Sequence, residues 1–351
     1  MNNRKLIEKL NNQHRLAHDE WVSLITSCDE NDRDFAAKLA RENTIAVFGK
    51  RIYFRGIIEF TNICKNDCLY CGIRRSNSNV HRYRLTEEEI LACCDDGYRF
   101  GYRTFVLQGG EDPYWDDDRL SALIKRIKTK YPDCAVTLSV GERRRESYQA
   151  LYDAGADRFL LRHETATPSH YQRLHPEEMK LENRLQCLKN LKEIGYQTGA
   201  GFMVGSPYQT ADCIASDLEF LCDFKPQMVG IGPFIPHRDT PLRDFSAGSA
   251  DLTVFLLSLV RLALPNVLLP ATTALGTVEG KGRQRGVLAG CNVVMPNLTP
   301  MNVRKDYLLY DNKVGTDSDA KDGLDLLRSQ MEEIGYEVVT GRGDSPDKTT
   351  E

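Results

Sequence analysis

Three cysteines close together in the sequence are the residues best suited to chemistry. Cys64, Cys68 and Cys71 follow the spacing C-x3-C-x2-C directly after a β-rich run. Thiolate sulfur binds iron and zinc, and three thiolates on one short loop can hold three corners of a cubane iron–sulfur cluster. The fourth iron of such a cluster stays open. The spacing therefore predicts a 4Fe-4S cluster with one iron available to a substrate molecule.

A zinc module or three unrelated thiols are the alternatives. A structural zinc site takes four ligands, and the nearest further candidate, His81, lies ten residues after Cys71. The eight other cysteines fall in helix-like or strand-like segments, where a free thiol is usually a small buried hydrophobe. Because the N-terminus lacks an apolar export signal, eleven cysteines indicate the reducing cytoplasm rather than a disulfide framework.

A glycine-rich acidic string, QGGED at 108–112, follows the second predicted strand. Gly109 and Gly110 would let the backbone approach a ligand closely, and Glu111 could accept a hydrogen bond from an ammonium group. Taken alone, the string is also an ordinary acidic turn.

Charged residues share one face of the strand predicted at 158–164. With a strand period of two, Arg158, Arg162 and Glu164 lie on one face, whereas His163 lies on the other with two apolar residues. Buried charges need partners, and ligand groups are good candidates. A structural pair between Arg162 and Glu164 is the alternative, and His163 is interpreted as a packing residue.

Weaker candidates lie on or after other predicted elements. Thr137 and Ser139 share one face of a strand. Met203 and Tyr70 could line an adenine pocket, with ordinary packing as the alternative. Arg184, near the start of a helix, could hold a carboxylate, although an exposed helix arginine is the default interpretation.

Eight short β-rich runs must position these residues. We predict strands at 53–61, 104–109, 135–140, 158–164, 198–204, 228–234, 267–273 and 292–296, separated by amphipathic helical segments. This alternation predicts an α/β fold, a closed (β/α)8 barrel of the TIM type, with an open doubly wound sheet as the alternative. Polar residues recur near the C-terminal ends of the strands, where barrel active sites are built, which favours the barrel.

Three parts of the chain are predicted: an N-terminal helical extension (1–50), the barrel (51–310), and a C-terminal helical segment with a frayed tail (311–351).

The 351 residues are 41% hydrophobic and 27% charged, as in globular proteins. A formal net charge of −4 argues against binding to nucleic acid or anionic lipid, and no membrane segment is predicted. We expect a monomer.

The cysteine spacing, with Tyr70 before the last cysteine, resembles the radical S-adenosylmethionine (SAM) superfamily. The resemblance implies a 4Fe-4S cluster that binds SAM on its open iron through the amino and carboxylate groups. One electron from the reduced cluster would then cleave SAM to a 5′-deoxyadenosyl radical. The string at 108–112 is similar to the superfamily's GGE motif, which holds the SAM amino group. No catalytic residue beyond the cluster and SAM is implied.

Across residues 50–310 the chain resembles one family within this superfamily, the FeFe-hydrogenase maturases of the HydE type. The strings that carry the resemblance are FTNICKNDCLYCG (60–72), LQGGEDPY (107–114), LRHET (161–165), TGAGFMVG (198–205), MVGIGPFIPH (228–237) and PATTALG (270–276). The resemblance implies that the radical attacks sulfur of an iron–cysteine species bearing carbonyl and cyanide ligands, during assembly of the diiron H-cluster. The substrate would be small and organometallic or derived from an amino acid, and other hydrogenase maturases are candidate partners.

By this resemblance, Glu164 and Arg184 would hold the ribose and the carboxylate of SAM. The complete predicted SAM site consists of Tyr70, Gly109, Gly110, Glu111, Ser139, Glu164, Arg184 and Met203. The predicted substrate residues are Gln108, Thr137, Arg158, Arg162, Thr272, Thr273 and Tyr310, of which the last five would line an anion-binding cavity deeper in the barrel.

The chain departs from the family pattern in two places. Residues 292–351 contain no cysteine, whereas many members carry ligands of a second cluster there, so one cluster is expected. Gly109 stands where some relatives have Ser, which puts a substrate contact there in doubt.

Methylornithine synthase and biotin synthase are the alternatives within the superfamily. Biotin synthase needs further cluster ligands inside the barrel, and no cysteine outside the triad falls near the C-terminal end of a predicted strand. The PFIPH and PATTA strings fit the HydE family better than methylornithine synthase. A non-catalytic iron–sulfur or zinc-binding scaffold is the alternative from another class.

Overall fold

The computed structural model describes residues 2–316 and 320–347. In chain order these residues form α1 (Asn3–Gln13), α2 (His18–Ser27), α3 (Glu30–Phe48), β1 (Arg51–Phe54), β2 (Gly56–Thr61), α4 (Glu87–Arg99), β3 (Thr104–Gly109), α5 (Asp117–Lys130), β4 (Ala135–Ser139), α6 (Arg145–Asp153), β5 (Arg158–Leu160), α7 (Pro168–Leu174), α8 (Leu181–Ile194), β6 (Gln197–Ala200), β7 (Met203–Val204), α9 (Ala211–Phe224), β8 (Met228–Val229), β9 (Gly232–Pro233), α10 (Ala250–Ala263), α11 (Thr273–Val278), α12 (Gly282–Leu288), β10 (Val293–Val294), α13 (Met301–Arg304), α14 (Ala320–Glu333) and β11 (Glu337–Val339). Within these ranges no helix combines the length and apolarity that a bilayer crossing requires.

The strands close into a barrel. Six parallel strands form one sheet in the order β2-β3-β4-β5-β6-β8. Single bridges complete the ring from β8 back to β2: Met228 with Leu268, Pro270 with Val293, and Ile57 with Asn297. The predicted (β/α)8 barrel is therefore confirmed, and the doubly wound alternative is wrong because an open sheet would not return to its first strand.

Local sequence signals explain where the outer helices begin. The Thr86 hydroxyl accepts a hydrogen bond from the Glu89 backbone N (3.2 Å), and the Glu89 carboxylate accepts one from the Thr86 backbone N (2.7 Å). This capping box starts α4 where the sequence predicts it. In α5, Leu120, Leu123 and Ile124 are buried at the spacing of one helix face, which packs that helix on the sheet.

Two of the predicted strands are interrupted at the barrel mouth. The run at 198–204 divides into β6 and β7 around Gly201, and the run at 228–234 divides into β8 and β9. Gly201 has a φ of 151°, and a Cβ there would lie 2.0 Å from the carbonyl oxygen of Gly230. Only glycine permits this close approach of the backbones at residues 201 and 230, and both strands are interrupted there.

The predicted N-terminal extension is helical and packs on the outside of the barrel. α3 lies against α10, and α2 lies against α9. The Thr44 hydroxyl donates to the Gly290 carbonyl oxygen (3.0 Å), and Trp21 is fully buried. These contacts join the extension to the outer helical layer.

The C-terminal segment forms the floor of the barrel. β11 pairs in parallel with β1, and Arg158 Nη2 at the start of β5 contacts Asp344 Oδ1 at 2.6 Å. Ser345 is 3% exposed, and its backbone N donates to Gln197 Oε1 at the start of β6 (2.9 Å). Residues 341–347, predicted from their composition to belong to a frayed tail, thus supply partners for buried polar side chains. Residues 348–351 lie outside the described ranges.

Candidate functional site

The cysteine loop leaves the C-terminal end of β2 at the barrel mouth. Backbone hydrogen bonds tie it to three other segments: Lys65 N to Glu111 O (3.0 Å), Leu69 N to Leu174 O (2.9 Å) and Gly72 N to Leu309 O (2.9 Å). The Arg82 guanidinium, which sequence reasoning missed, donates to the backbone carbonyls of Asn62, Ile73, Arg74 and Asn77. The loop therefore has a defined shape without relying on side-chain contacts of the cysteines.

Cys64, Cys68 and Cys71 are partly exposed, whereas every other cysteine except Cys28 is buried. Burial raises the pKa of all three thiols, and the proximity of the Cys64 thiol contributes to raising the pKa of Cys71 to about 12. Three neighbouring thiolates at neutral pH therefore require a compensating cation. The donor set fits an iron–sulfur cluster. Within residues 2–316 and 320–347, no three His, Cys, Asp or Glu side chains are arranged around a single-ion position.

The glycine-rich string lies directly against the cysteine loop. The Glu111 backbone N donates to Cys64 Sγ at 3.4 Å. A Cβ on Gly110 would lie 2.3 Å from the Ile63 carbonyl oxygen and 2.8 Å from Cys64 Cβ. The predicted Gly110 and Glu111 are thus brought to Cys64, and Gly110 is required for the close contact, whereas Gly109 lies against Phe60 and Thr61 on β2.

We expect a Gly110→Ala substitution to lower the iron content of the reconstituted protein, because the new methyl group must displace the backbone beside Cys64. Metal analysis of the purified variant measures this. Gly230→Ala is the matched control, since its Cβ would meet only Leu160 Cδ1, at 3.8 Å. An unchanged iron content in Gly110→Ala would contradict the expectation.

Tyr70 and Met203, the two predicted adenine neighbours, meet in one apolar cluster. Both pack with Leu174, Phe234 and Leu242 beside the cysteine loop. The Tyr70 hydroxyl lies 3.3 Å from His175 Nε2. An apolar wall of this kind suits a flat aromatic ligand.

Glu164 and Arg184 lie together on the same side of the mouth. Glu164 is 8% exposed, with a strained φ of 66°. Its Oε2 lies 2.8 Å from Arg162 Nη2, yet neither atom has a partner in hydrogen-bond geometry within the described residues. Arg184 is buried, and its Nη1 donates to the Arg162 carbonyl oxygen (2.8 Å). The Arg162–Glu164 pair that the sequence analysis gave as the structural alternative is therefore formed, and beside it the buried Arg162 Nε has no hydrogen-bond partner within the described residues.

The strand end carrying Glu164 is fixed from behind by His163. His163 Nδ1 accepts a hydrogen bond from the Gly201 backbone N (3.2 Å), and Nε2 lies 3.2 Å from Asp217 Oδ1. Burial lowers the pKa of His163 to about 3, so the ring is neutral at physiological pH. His163 is thus the packing residue that the strand period predicts.

The predicted substrate residues other than Arg158 and Arg162 lie on several different elements of the barrel and its loops. Thr137 is buried on β4, and its Oγ1 has no hydrogen-bond partner within the described residues. Gln108 and Ser139 are neighbours across β3 and β4. Thr272 caps α11, and Thr273 begins it. Burial raises the pKa of Tyr310 to about 12, and the positive charges of Arg283 and Arg162 act on its hydroxyl.

Arg158 does not join this group. It lies about 13 Å along the strand direction from Arg162, and its Nη1 donates to the Thr104 hydroxyl (2.9 Å). Its Nη2 donates to the Arg342 carbonyl oxygen (2.8 Å) and to Asp344. The strand period predicts which face of the strand Arg158 occupies, but it does not predict the position of Arg158 along the barrel axis.

Sequence reasoning also missed an inward-facing carboxylate on β2. Glu59 is 2% exposed and accepts hydrogen bonds from Lys313 Nζ and from Asn297 Nδ2 (3.0 Å). A single charge within an otherwise apolar strand was the available signal. Lys313 comes from the segment after the barrel, so this pair ties that segment to the interior.

Comparison with known proteins agrees with this geometry. The family model of the radical SAM superfamily matches residues 58–221. The FeFe hydrogenase maturase subunit HydE of Thermotoga maritima is 47% identical over 319 residues, covering 90% of this chain and 89% of the relative. The 3-methylornithine synthase of Methanosarcina acetivorans is 28% identical over 306 residues, covering 87% and 86%.

Two solved structures share the fold. The crystal structure of methylornithine synthase (PylB) superimposes with a TM-score of 0.82 at 24% identity, covering 95% of this chain and 97% of that chain. The crystal structure of the FeFe-hydrogenase maturase HydG gives a TM-score of 0.80 at 22% identity, covering 96% and 76%. At these identities the likeness supports the barrel architecture alone.

Proposed function

The chain belongs to the radical SAM superfamily and, within it, to the family of the FeFe hydrogenase maturase HydE, and from this premise we propose a function in hydrogenase maturation. The protein would cleave SAM reductively to a 5′-deoxyadenosyl radical. The radical would act on a sulfur-containing iron–cysteine species with carbonyl and cyanide ligands, a precursor of the diiron H-cluster. Other hydrogenase maturases would supply the substrate or receive the product, and the protein would act as a monomer.

The three cysteines would hold one 4Fe-4S cluster. When bound, the cluster supplies an open iron and one electron to the sulfonium of SAM. The protein's part is to keep Cys64, Cys68 and Cys71 together at the barrel mouth. The Glu111 backbone N–H on Cys64 Sγ adds a stabilising dipole to that sulfur.

SAM would lie across the mouth between the remaining predicted residues. Glu111 would accept from its ammonium group, Arg184 would hold its carboxylate, and Glu164 would accept from its ribose hydroxyls. Tyr70 and Met203 would cover the adenine, supported by their shared apolar cluster. Gly109, Gly110 and Ser139 would complete this site.

The substrate would bind deeper in the barrel, below SAM. Cyanide ligands are anionic hydrogen-bond acceptors, and Gln108, Thr137, Thr272, Thr273 and Tyr310 would donate to them, together with the charge of Arg162. Arg162 Nε is buried without a hydrogen-bond partner in the described part of the chain, which supports its availability to a ligand. Arg158 is left out of this proposed site because the protein itself occupies its donors.

The identity of 47% over 319 residues, 90% of the chain, is the observation that carries the proposal. The test is anaerobic reconstitution followed by reduction with SAM. We expect about four irons per chain and release of 5′-deoxyadenosine that increases when an iron–cysteine carbonyl cyanide complex is added. Stimulation by lysine instead would indicate methylornithine synthase chemistry. Bound zinc without SAM cleavage would indicate a non-catalytic module.

A further inference from the structure

One residue in the loop after β4 contacts two members of the proposed SAM site. Glu142 Oε1 lies 2.5 Å from Arg184 Nε, and the Glu142 backbone N donates to Glu111 Oε1 at 3.0 Å. The Asn183 amide donates to the other carboxylate oxygen of Glu142. In the proposed function, Glu111 binds the ammonium group of SAM and Arg184 binds its carboxylate. Glu142 contacts both of these residues.

The contact with Glu142 helps to fix the orientation of the Arg184 guanidinium. Arg184 is 7% exposed, and its Nη1 is already committed to the Arg162 carbonyl oxygen (2.8 Å). With Nε held by Glu142, Nη2 is the guanidinium nitrogen that has no hydrogen-bond partner among residues 2–316 and 320–347. Because a guanidinium is planar, two fixed nitrogens also fix the direction of the third. Arg184 is thus oriented before any ligand arrives.

The backbone next to Glu142 is shaped around Glu111. Gly141 has a φ of 75°, in the left-handed region that favours glycine. A Cβ there would lie 2.2 Å from both Cγ and Oε1 of Glu111. The Glu111 side chain therefore rests on the bare backbone of Gly141 while its Oε1 accepts from the next residue. Lys65 Nζ, 3.2 Å from Glu111 Oε2, completes its contacts.

We propose that Glu142 is a positioning residue for SAM, which presets Arg184 through its carboxylate and Glu111 through its backbone N–H. The proposal rests on the proposed function, in which Arg184 and Glu111 hold the amino-acid end of SAM. The carboxylate of Glu142 touches neither the cluster nor the reacting carbon. Its contribution is to binding and orientation, through a charged contact in a partly buried site.

Glu142→Gln tests the carboxylate while leaving the backbone N–H to Glu111 in place. We expect the Kd for SAM of the reconstituted protein, measured by equilibrium binding, to rise about 10-fold, by analogy with the roughly 10–100-fold losses seen when residues that orient metal ligands are replaced. KM for SAM rises with it, kcat for 5′-deoxyadenosine release changes less, and iron content is unchanged. Glu142→Asp, which keeps the charge, recovers part of the affinity.

Glu146→Gln is the matched control. Glu146 is an exposed residue at the start of α6 on the same side of the mouth, and it has no ion pair within the described residues. Equal SAM affinity in wild type and Glu142→Gln overturns the positioning role, as does loss of iron or folding in Glu142→Gln, which would make the residue structural. If the wild-type protein itself does not bind SAM, the proposed function fails first, so the two failures are distinguishable.

Discussion

Replacement of Cys68 by alanine is expected to remove the iron–sulfur cluster and, with it, reductive cleavage of SAM. Three thiolates from one loop leave no spare ligand, so the loss of one cannot be compensated within the loop. Apart from the triad, the cysteines of the chain are buried, except Cys28 on the outer helical extension. We expect iron content to fall well below about four per chain and 5′-deoxyadenosine formation to fall about 100-fold or more.

Iron analysis, the visible absorption of the reconstituted protein and chromatography of the nucleoside product measure these effects. Cys28→Ser is the matched control, because Cys28 is also a partly exposed thiol but lies at the end of α2 in the helical extension, where its Sγ donates to the Ile25 carbonyl oxygen (3.9 Å). Its variant should retain both iron and activity. A Cys68→Ala protein that keeps its melting temperature and still releases 5′-deoxyadenosine would refute the cluster ligands assigned above.

The barrel could be predicted from the sequence because its strands are short apolar runs at regular intervals. β3 is found where it was predicted, and β4 differs by one residue. The predicted strand at 267–273 agrees less well with the structure, because this run pairs with its neighbours only through the bridges at Leu268 and Pro270. The floor could not be predicted. Its residues, 341–347, are polar and glycine-rich, and that composition is typical of a mobile tail unless the buried partners are known.

The site shows the same division between local and long-range information. Cys64, Cys68 and Cys71 lie within eight residues, so their spacing is itself the signal. Arg158 and Arg162 are equivalent by strand period, yet one is at the floor and the other is at the mouth. Glu142 carries no local pattern at all. The role proposed for Glu142 depends on its contact with Arg184, 42 positions later in the chain, and only the fold brings the two residues together.

Asp344→Asn is expected to destabilise the barrel by about 2–3 kcal/mol, because it leaves the guanidinium of Arg158 buried without its carboxylate. Arg158 has a fully buried side chain, whereas that of Asp344 is 27% exposed, which places the loss below the roughly 3–5 kcal/mol of fully buried pairs. Urea unfolding at neutral pH measures the difference. Asp347→Asn is the control in the same segment. The exposed Asp347 carboxylate accepts a hydrogen bond from Asn266 Nδ2 (2.7 Å), and its backbone N donates to the Ser345 hydroxyl (3.3 Å), a bond that the substitution leaves in place. The stability of this variant should change little.

The effect of Asp344→Asn should also depend on pH in one direction. Burial alone would raise the pKa of Asp344, but Arg158, Gln197 and Arg342 hold it well below its usual range. A carboxyl whose pKa is lower in the folded state contributes its full stabilisation above its unfolded pKa of about 3.9 and loses it as pH falls towards the folded value. The difference in unfolding free energy between wild type and Asp344→Asn should therefore be constant from pH 7 to about 5 and shrink below about 4. A difference that grows on acidification would mean that the pKa of Asp344 is raised in the folded state, so that burial outweighs the effect of Arg158, Gln197 and Arg342, and would contradict the assignment.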